Sequence, residues 1–222
     1  MNLSTSCSKF SYHEMICPQC GYVEEMQLWD SIDGAEDRWL KELIFEKTLH
    51  VFRCPNCDFS AWVERELLYY DISSRFMIFY LPDYEGDVLE LDLSEFVSQV
   101  GERKLTLRIV NDLEEFIEKI RIFEDGLDDR AVELLKKSFA DNWNKRYPNR
   151  SVVLRYTQKT IPDHRIKIHV FEPETQDVIA LEFDYDTGYQ KALELAKSVR
   201  LFSDVVGFLK VDKSTIGLSI LG

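Results

Sequence analysis

Two short stretches, Cys17-Pro18-Gln19-Cys20 and Cys54-Pro55-Asn56-Cys57, repeat one pattern within a single chain. Together they supply four thiolates, the number that a tetrahedral Zn²⁺ takes in a closed structural site. Two residues between cysteines place both sulfurs on one side of a tight turn, where backbone N–H groups beyond the first cysteine point back at the thiolate. Gly21 follows the first pair and lets the chain leave with positive φ. Asp58 holds the matching place after the second pair and tolerates the left-handed region better than most non-glycine residues.

A lone Cys-x-x-Cys is also the spacing of thioredoxin-type redox sites. Two copies, each with proline after the first cysteine, favour a metal, with iron, a redox pair or an empty site as the other readings. With Cys17, Cys20, Cys54 and Cys57 all serving as ligands, no position stays open for water or substrate, so the expected ion is a structural Zn²⁺. The 33 residues between Cys20 and Cys54 exceed the roughly 15–20 of an ordinary ribbon. Ala35–Lys47, with Trp39, Leu40, Leu43 and Ile44 on one helical face, fills that surplus as an inserted helix.

The chain of 222 residues is 45% hydrophobic and 13% aromatic, enough for one large core or two modest ones. No apolar run approaches the roughly 20 residues that cross a bilayer, so no membrane association is expected. Met1–Lys9 is polar and Ser-rich without an apolar core, unlike a secretory signal. Residues 1–12 are therefore expected to be a flexible leader of a cytoplasmic protein, with Cys7 a free thiol in a mobile tail.

The net charge is −13, and residues 1–82 carry 7 Lys and Arg against 13 Asp and Glu. Nucleic-acid binding needs cations to neutralise phosphates, and neither half offers a basic patch. An acidic balance suits a protein that meets basic partners.

Polar residues crowd Pro82–Asp87, placing a boundary between a cysteine module at 1–82 and a second domain at 83–222. In the module, Glu14–Ile16 and Tyr22–Trp29 flank the first knuckle, Leu49–Arg53 and Phe59–Arg65 flank the second, and Arg75–Leu81 reads as a buried strand. In the second domain, Leu89–Val100 suggests a helix starting near Ser94. Lys104–Val110 alternates as a half-buried strand.

Asn111 or Asp112 then caps a helix with Leu113, Phe116, Ile117, Ile120 and Phe123 on its apolar stripe. Gly126 ends it, and Asp128 or Asp129 starts another bearing Val132, Leu135, Phe139 and Trp143, stopped by Pro148. Val152–Thr157, Arg165–Phe171 and Val178–Tyr185 should form an antiparallel meander. A helix over Thr187–Phe202, a strand at Gly207–Val211 and a terminal helix from Asp212 follow. The fold class is α+β: a β-rich, zinc-ribbon-like module with an inserted helix, then an α+β domain.

Other motifs fade. His13-Glu14 lacks the second histidine of a metalloprotease motif. His164 falls in a turn, and His169 points away from the side of Ile168 and Val170, toward solvent. Glu124–Asp129 lacks the length and terminal Glu of a calcium loop, and capping accounts for its residues. No Gly-rich phosphate loop or nucleophile elbow is present.

From CPQCG through VEEMQLWDSID, CPNC, ELLYYD and FMIFYLP, and on into Leu113–Lys136, the chain resembles the prokaryotic CpXC domain family, named for its paired Cys-Pro-x-Cys motifs. The resemblance spans roughly residues 13–140, with Asp58 standing where glycine is common. It implies a zinc-ribbon-like module with an appended α+β region, and it transfers no reaction and no catalytic residue. The expected function is a cytoplasmic zinc-binding interaction or scaffold protein with an unidentified protein partner. Trp29, Trp39 and Trp62 are candidate contact residues, although core packing would also explain each. The alternative is an enzyme with its site in the second domain, and a nucleic-acid-binding regulator ranks behind both.

Overall fold

The two cysteine motifs sit at hairpin tips because each lies between stretches able to pair as strands. The computed structural model describes residues 7–90, 105–160, 162–198, 207–212 and 215–216. The chain divides into two compact units, Met1–Glu85 with Glu90–Leu113, and Gly86–Leu89 with Glu114–Gly222.

In the first unit, β1 (Lys9–Ile16) pairs antiparallel with β2 (Val23–Asp33) across the first knuckle. β1 starts at Lys9, so residues 9–12 belong to the sheet and not to a flexible leader. Phe10 lies opposite Trp29 and Tyr12 opposite Gln27, pairings that the leader reading could not foresee. Cys7 is an exposed free thiol, but its carbonyl accepts a hydrogen bond from Tyr70 Oη at 3.3 Å, and Ser8 Oγ accepts one from Asp33 N at 3.0 Å. Within the segment expected to be mobile, Cys7 and Ser8 are thereby tied down.

Beyond β2 come α1 (Arg38–Phe45), β3 (Val51–Arg53) and β4 (Ser60–Trp62), with β3 and β4 forming the hairpin of the second knuckle. The helix does occupy the long inter-knuckle spacing. It begins at Arg38, later than expected, because Asp33 Oδ1 accepts from Ala35 N at 3.1 Å and holds the preceding turn. It ends in a Schellman turn with Lys47 at φ +58, and Thr48 N reaches Leu43 O at 2.8 Å. Leu40 and Ile44 are buried, while Trp39 is 57% exposed.

β5 (Leu67–Asp71) lies parallel to β2, β6 (Phe76–Tyr80) antiparallel to β5, and β8 (Thr106–Val110) parallel to β6, giving the order β1-β2-β5-β6-β8. Sequence patterning missed β5. Leu67, Tyr69, Tyr70 and Asp71 are all buried, so a central strand covered on both faces shows no alternation. The helix expected from Ser94 lies outside the described residues.

In the second unit, β7 (Val88–Leu89) pairs with β12 (Phe208–Leu209). α2 (Leu113–Glu124) ends where Gly126 takes φ +67, and Leu127 N donates to Ile122 O at 3.0 Å. α3 (Asp129–Arg146) starts at Asp128, whose carboxylate accepts from Arg130 N at 3.0 Å. β9 (Val153–Thr160), β10 (Arg165–Glu172) and β11 (Asp177–Asp184) form the expected antiparallel meander. One π-helical turn at Tyr185–Tyr189 leads into α4 (Gln190–Ser198). The expected end of that helix at Phe202 lies outside the described residues, as does most of the terminal helix, although Asp212 Oδ1 does cap Thr215 N at 2.9 Å. The core joins Ile122, Val132 and Leu135 to Leu154, Tyr156, Ile166, Ile168 and Tyr189.

The amphipathic reading of α2 holds for Phe116, Ile117 and Ile120, yet Glu118 and Lys119 are buried as well. They join Asp129, Glu133 and Lys136 of α3 in an ionic network. Lys119 Nζ lies 3.1 Å from Asp129 Oδ2 and 3.2 Å from Glu133 Oε1, and Lys136 Nζ lies 3.0 Å from Glu118 Oε1 and 2.9 Å from Glu133 Oε1. Burial works against the Lys136 charge, but Glu118 and Glu133 outweigh it and hold its pKa above the ordinary lysine value. Isolated charges this deep would be very costly, so the members depend on one another.

Lys136→Met should therefore lower unfolding free energy by about 3–5 kcal/mol, because it strands two buried carboxylates. Adding Glu118→Met should recover part of that loss, a coupling that a double-mutant cycle in urea would measure.

Candidate metal centre

The turn chemistry anticipated at both knuckles is present. Gly21 has φ +72 and Asp58 φ +57, so each chain leaves its cysteine pair in the left-handed region. Cys17 N donates to Tyr22 O at 2.8 Å, and Cys54 N donates to Phe59 O at the same distance, so the knuckles repeat one backbone geometry.

They face each other. Cys17 Sγ lies 3.6 Å from Cys57 Sγ, Cys20 Sγ lies 3.6 Å from Cys54 Sγ, and all four sulfurs fall within 4.8 Å of one another. These separations far exceed a disulfide bond of about 2.05 Å. They approach the roughly 3.8 Å edge of a tetrahedron of sulfurs, each about 2.3 Å from a central ion. Among the described residues, this is the one group of three or more His, Cys, Asp and Glu ligand atoms close enough to hold a metal.

The surroundings treat the sulfurs unequally. The Asn56 side chain and then the Tyr22 amide stabilise the Cys20 thiolate, drawing its pKa down to about 6. Burial raises the pKa of Cys54, against backbone hydrogen bonds from Asn56 and Cys57. The Phe59 amide favours the Cys57 thiolate, but burial and the neighbouring sulfurs prevail and push it up to about 12. Four ionised sulfurs at this spacing repel strongly, and a divalent cation is the simplest counter-charge. Asn56 is a contributor that sequence reading passed over, since it stands at the variable position of its motif.

Cys17 and Cys54 are buried with Phe52, and Met15, Met26, Phe59 and Val63 pack around them. Met15 and Met26 come from one face of the β1–β2 ribbon, so that face is covered at its knuckle end.

The remaining candidates stay separate. His13 Nε2 lies 2.9 Å from Ser11 Oγ, and His164 sits in a turn at φ +47. His169 is half-buried on the outer side of β10. In the acidic run, Asp125 accepts from Tyr156 Oη and from Lys159 N, Asp128 caps α3, and Asp129 pairs with Lys119. Capping and structural bonds thus account for these carboxylates.

His50 escaped the sequence reading, because a single histidine before a strand carries no signature. It is 1% exposed, and its Nε2 accepts from Trp29 N at 3.0 Å, which puts the ring proton on Nδ1. Burial first, and then the Arg65 charge, lower its pKa to about 4, while Asp30 opposes them.

Two Cys-Pro-x-Cys knuckles, one on the mixed sheet and one on the separate β3–β4 hairpin, define a ribbon-like module with a four-cysteine cluster compatible with metal binding. The chain belongs to the CpXC protein family, whose model matches residues 15–136. No curated protein matches the chain. No solved structure matches it either. Among the described residues, no helix is long and apolar enough to cross a membrane.

Protonating His50 would abolish its acceptor and bury a charge. Its folded pKa of about 4 lies below the ordinary 6.5, so its contribution is complete above pH 6.5 and is lost as the pH falls toward 4. Across that window wild type should lose on the order of 3 kcal/mol more stability than His50→Gln, which keeps an acceptor but cannot titrate. Urea unfolding of both proteins at matched pH values checks this, with parallel curves the contrary result.

Proposed function

We propose that this protein is a cytoplasmic zinc-binding interaction protein, its N-terminal unit held together by one structural Zn²⁺ on Cys17, Cys20, Cys54 and Cys57. The observation that carries this reading is the convergence of four sulfurs from two antiparallel hairpins within 4.8 Å. A set of four thiolates suits Zn²⁺ and leaves no open coordination position, which favours a scaffolding role for the ion over a catalytic one. The second unit's most conspicuous ionisable cluster is tied into buried ion pairs, which gives the enzymatic alternative little support. A net charge of −13 disfavours nucleic acid and fits basic protein partners.

Purified under reducing conditions, the protein should contain one zinc per chain by elemental analysis, with four thiols protected from titration until metal is removed. Binding in small cysteine sites contributes roughly 10–16 kcal/mol at neutral pH, so strong chelator should unfold the ribbon and flanking strands. Cys54→Ser should lose the metal and be markedly less stable. Four freely reactive thiols in metal-free protein of unchanged folding would refute the reading.

A further inference from the structure

One face of the β1–β2 ribbon packs on the cysteine cluster through Met15 and Met26, and the other is covered only at its Trp29 end, by Trp39 of α1. On this second face a chain of edge-to-face rings runs from Tyr12 to Phe10 at 5.5 Å, on to Trp29 at 5.2 Å and then to Trp39 of α1 at 5.8 Å. Tyr12 is 58% exposed and Phe10 45%. Rings in contact with one another and still open to solvent are characteristic of contact surfaces rather than of cores.

In the same register Glu14 stands directly opposite Glu25. Like charges facing across a strand pair are destabilising. The other residues of this face are Phe10, Tyr12, Ile16, Val23, Gln27 and Trp29, so no Lys or Arg on it relieves them. β1 is also the edge strand of its sheet, which leaves its outer backbone groups without a strand partner among the described residues.

We propose that this face docks an extended segment of a partner protein that alternates Lys or Arg with apolar residues. The segment adds to the free edge of β1, as strand-adding peptides do. Its cations all point to the face of Glu14, Glu25 and the exposed rings, where they meet the carboxylates and lie over the aromatic faces, while its aliphatic side chains fall on the opposite face beside Ser11, His13 and Met15. Charge decides the occupant. A second copy on the same face would bring four carboxylates together, whereas a basic strand removes a repulsion already present. The proposal rests on the reading of the protein as an interaction protein and names its partner class.

The test uses the zinc-loaded full chain with two synthetic octapeptides, one alternating Lys with Val and the other Glu with Val, followed by tryptophan fluorescence and backbone amide NMR. The basic peptide should bind in a salt-sensitive manner, shifting the β1 amides, and the acidic peptide should not bind. Combined Glu14→Lys and Glu25→Lys should weaken binding at least about tenfold, and Tyr12→Ala at least about fivefold. Both changes are on the surface, and an unaltered zinc content and urea midpoint establish that these variants fold.

The proposal falls if the basic peptide fails to bind, if the charge-reversed protein binds it equally, or if sedimentation reveals a dimer that those substitutions abolish, which assigns the face to a second copy. Zinc content is measured separately, so a failure of the metal reading is distinguishable: it appears as metal-free protein whatever the peptide does.

Discussion

Four sulfur atoms gathered within 4.8 Å would repel one another once ionised, and the burial of Cys17 and Cys54 deepens that cost. A divalent ion reverses the sign of the problem and turns mutual repulsion into shared attraction. The surrounding construction serves this arrangement. Two hairpins with the same backbone hydrogen bond present their tips to each other, and Phe52, Met15, Met26, Phe59 and Val63 pack around the buried Cys17 and Cys54. The amides and the Asn56 side chain that face the sulfurs add local stabilisation, although the thiols remain unequal without a cation.

The second unit meets a comparable electrostatic problem with side chains of opposite charge. Three carboxylates and two lysines, all nearly solvent-free, neutralise one another between α2 and α3, and the Val211 carbonyl accepts a further hydrogen bond from Lys119. Such an arrangement tolerates little change, because every member is partner to another. It explains why the charged side chains of Glu118, Lys119, Asp129, Glu133 and Lys136 can lie within a core.

Features that depend on local chemistry were readable in the sequence. The left-handed exits at Gly21 and Asp58, the Gly126 turn, the Asp128 cap and the β9–β11 meander each follow from residue type and spacing. Features that depend on distant partners were not. β5 is covered on both faces and so lacks alternation, and Lys9–Tyr12 joins the sheet only because Trp29 and Gln27 lie beside it. Glu118 and Lys119 resemble solvated helix residues until α3 supplies their counter-ions. His50 takes its role from the Trp29 amide, 21 residues away. As for the four-cysteine cluster, spacing pointed to its members, while the contribution of Asn56 required the opposing turn to be in place.

Because the first knuckle joins β1 directly to β2, Cys17 and Cys20 act as a fastener at one end of a two-stranded ribbon. Side chains on such a ribbon alternate between its surfaces, so sliding one strand by a single residue would exchange the surfaces wholesale. Met15 would leave the sulfurs and Glu14 would be driven in beside them, anion against anion. An ion gripping the hairpin at its tip would thus act as a ratchet stop on alignment, fixing which side of the sheet is presented to the outside world.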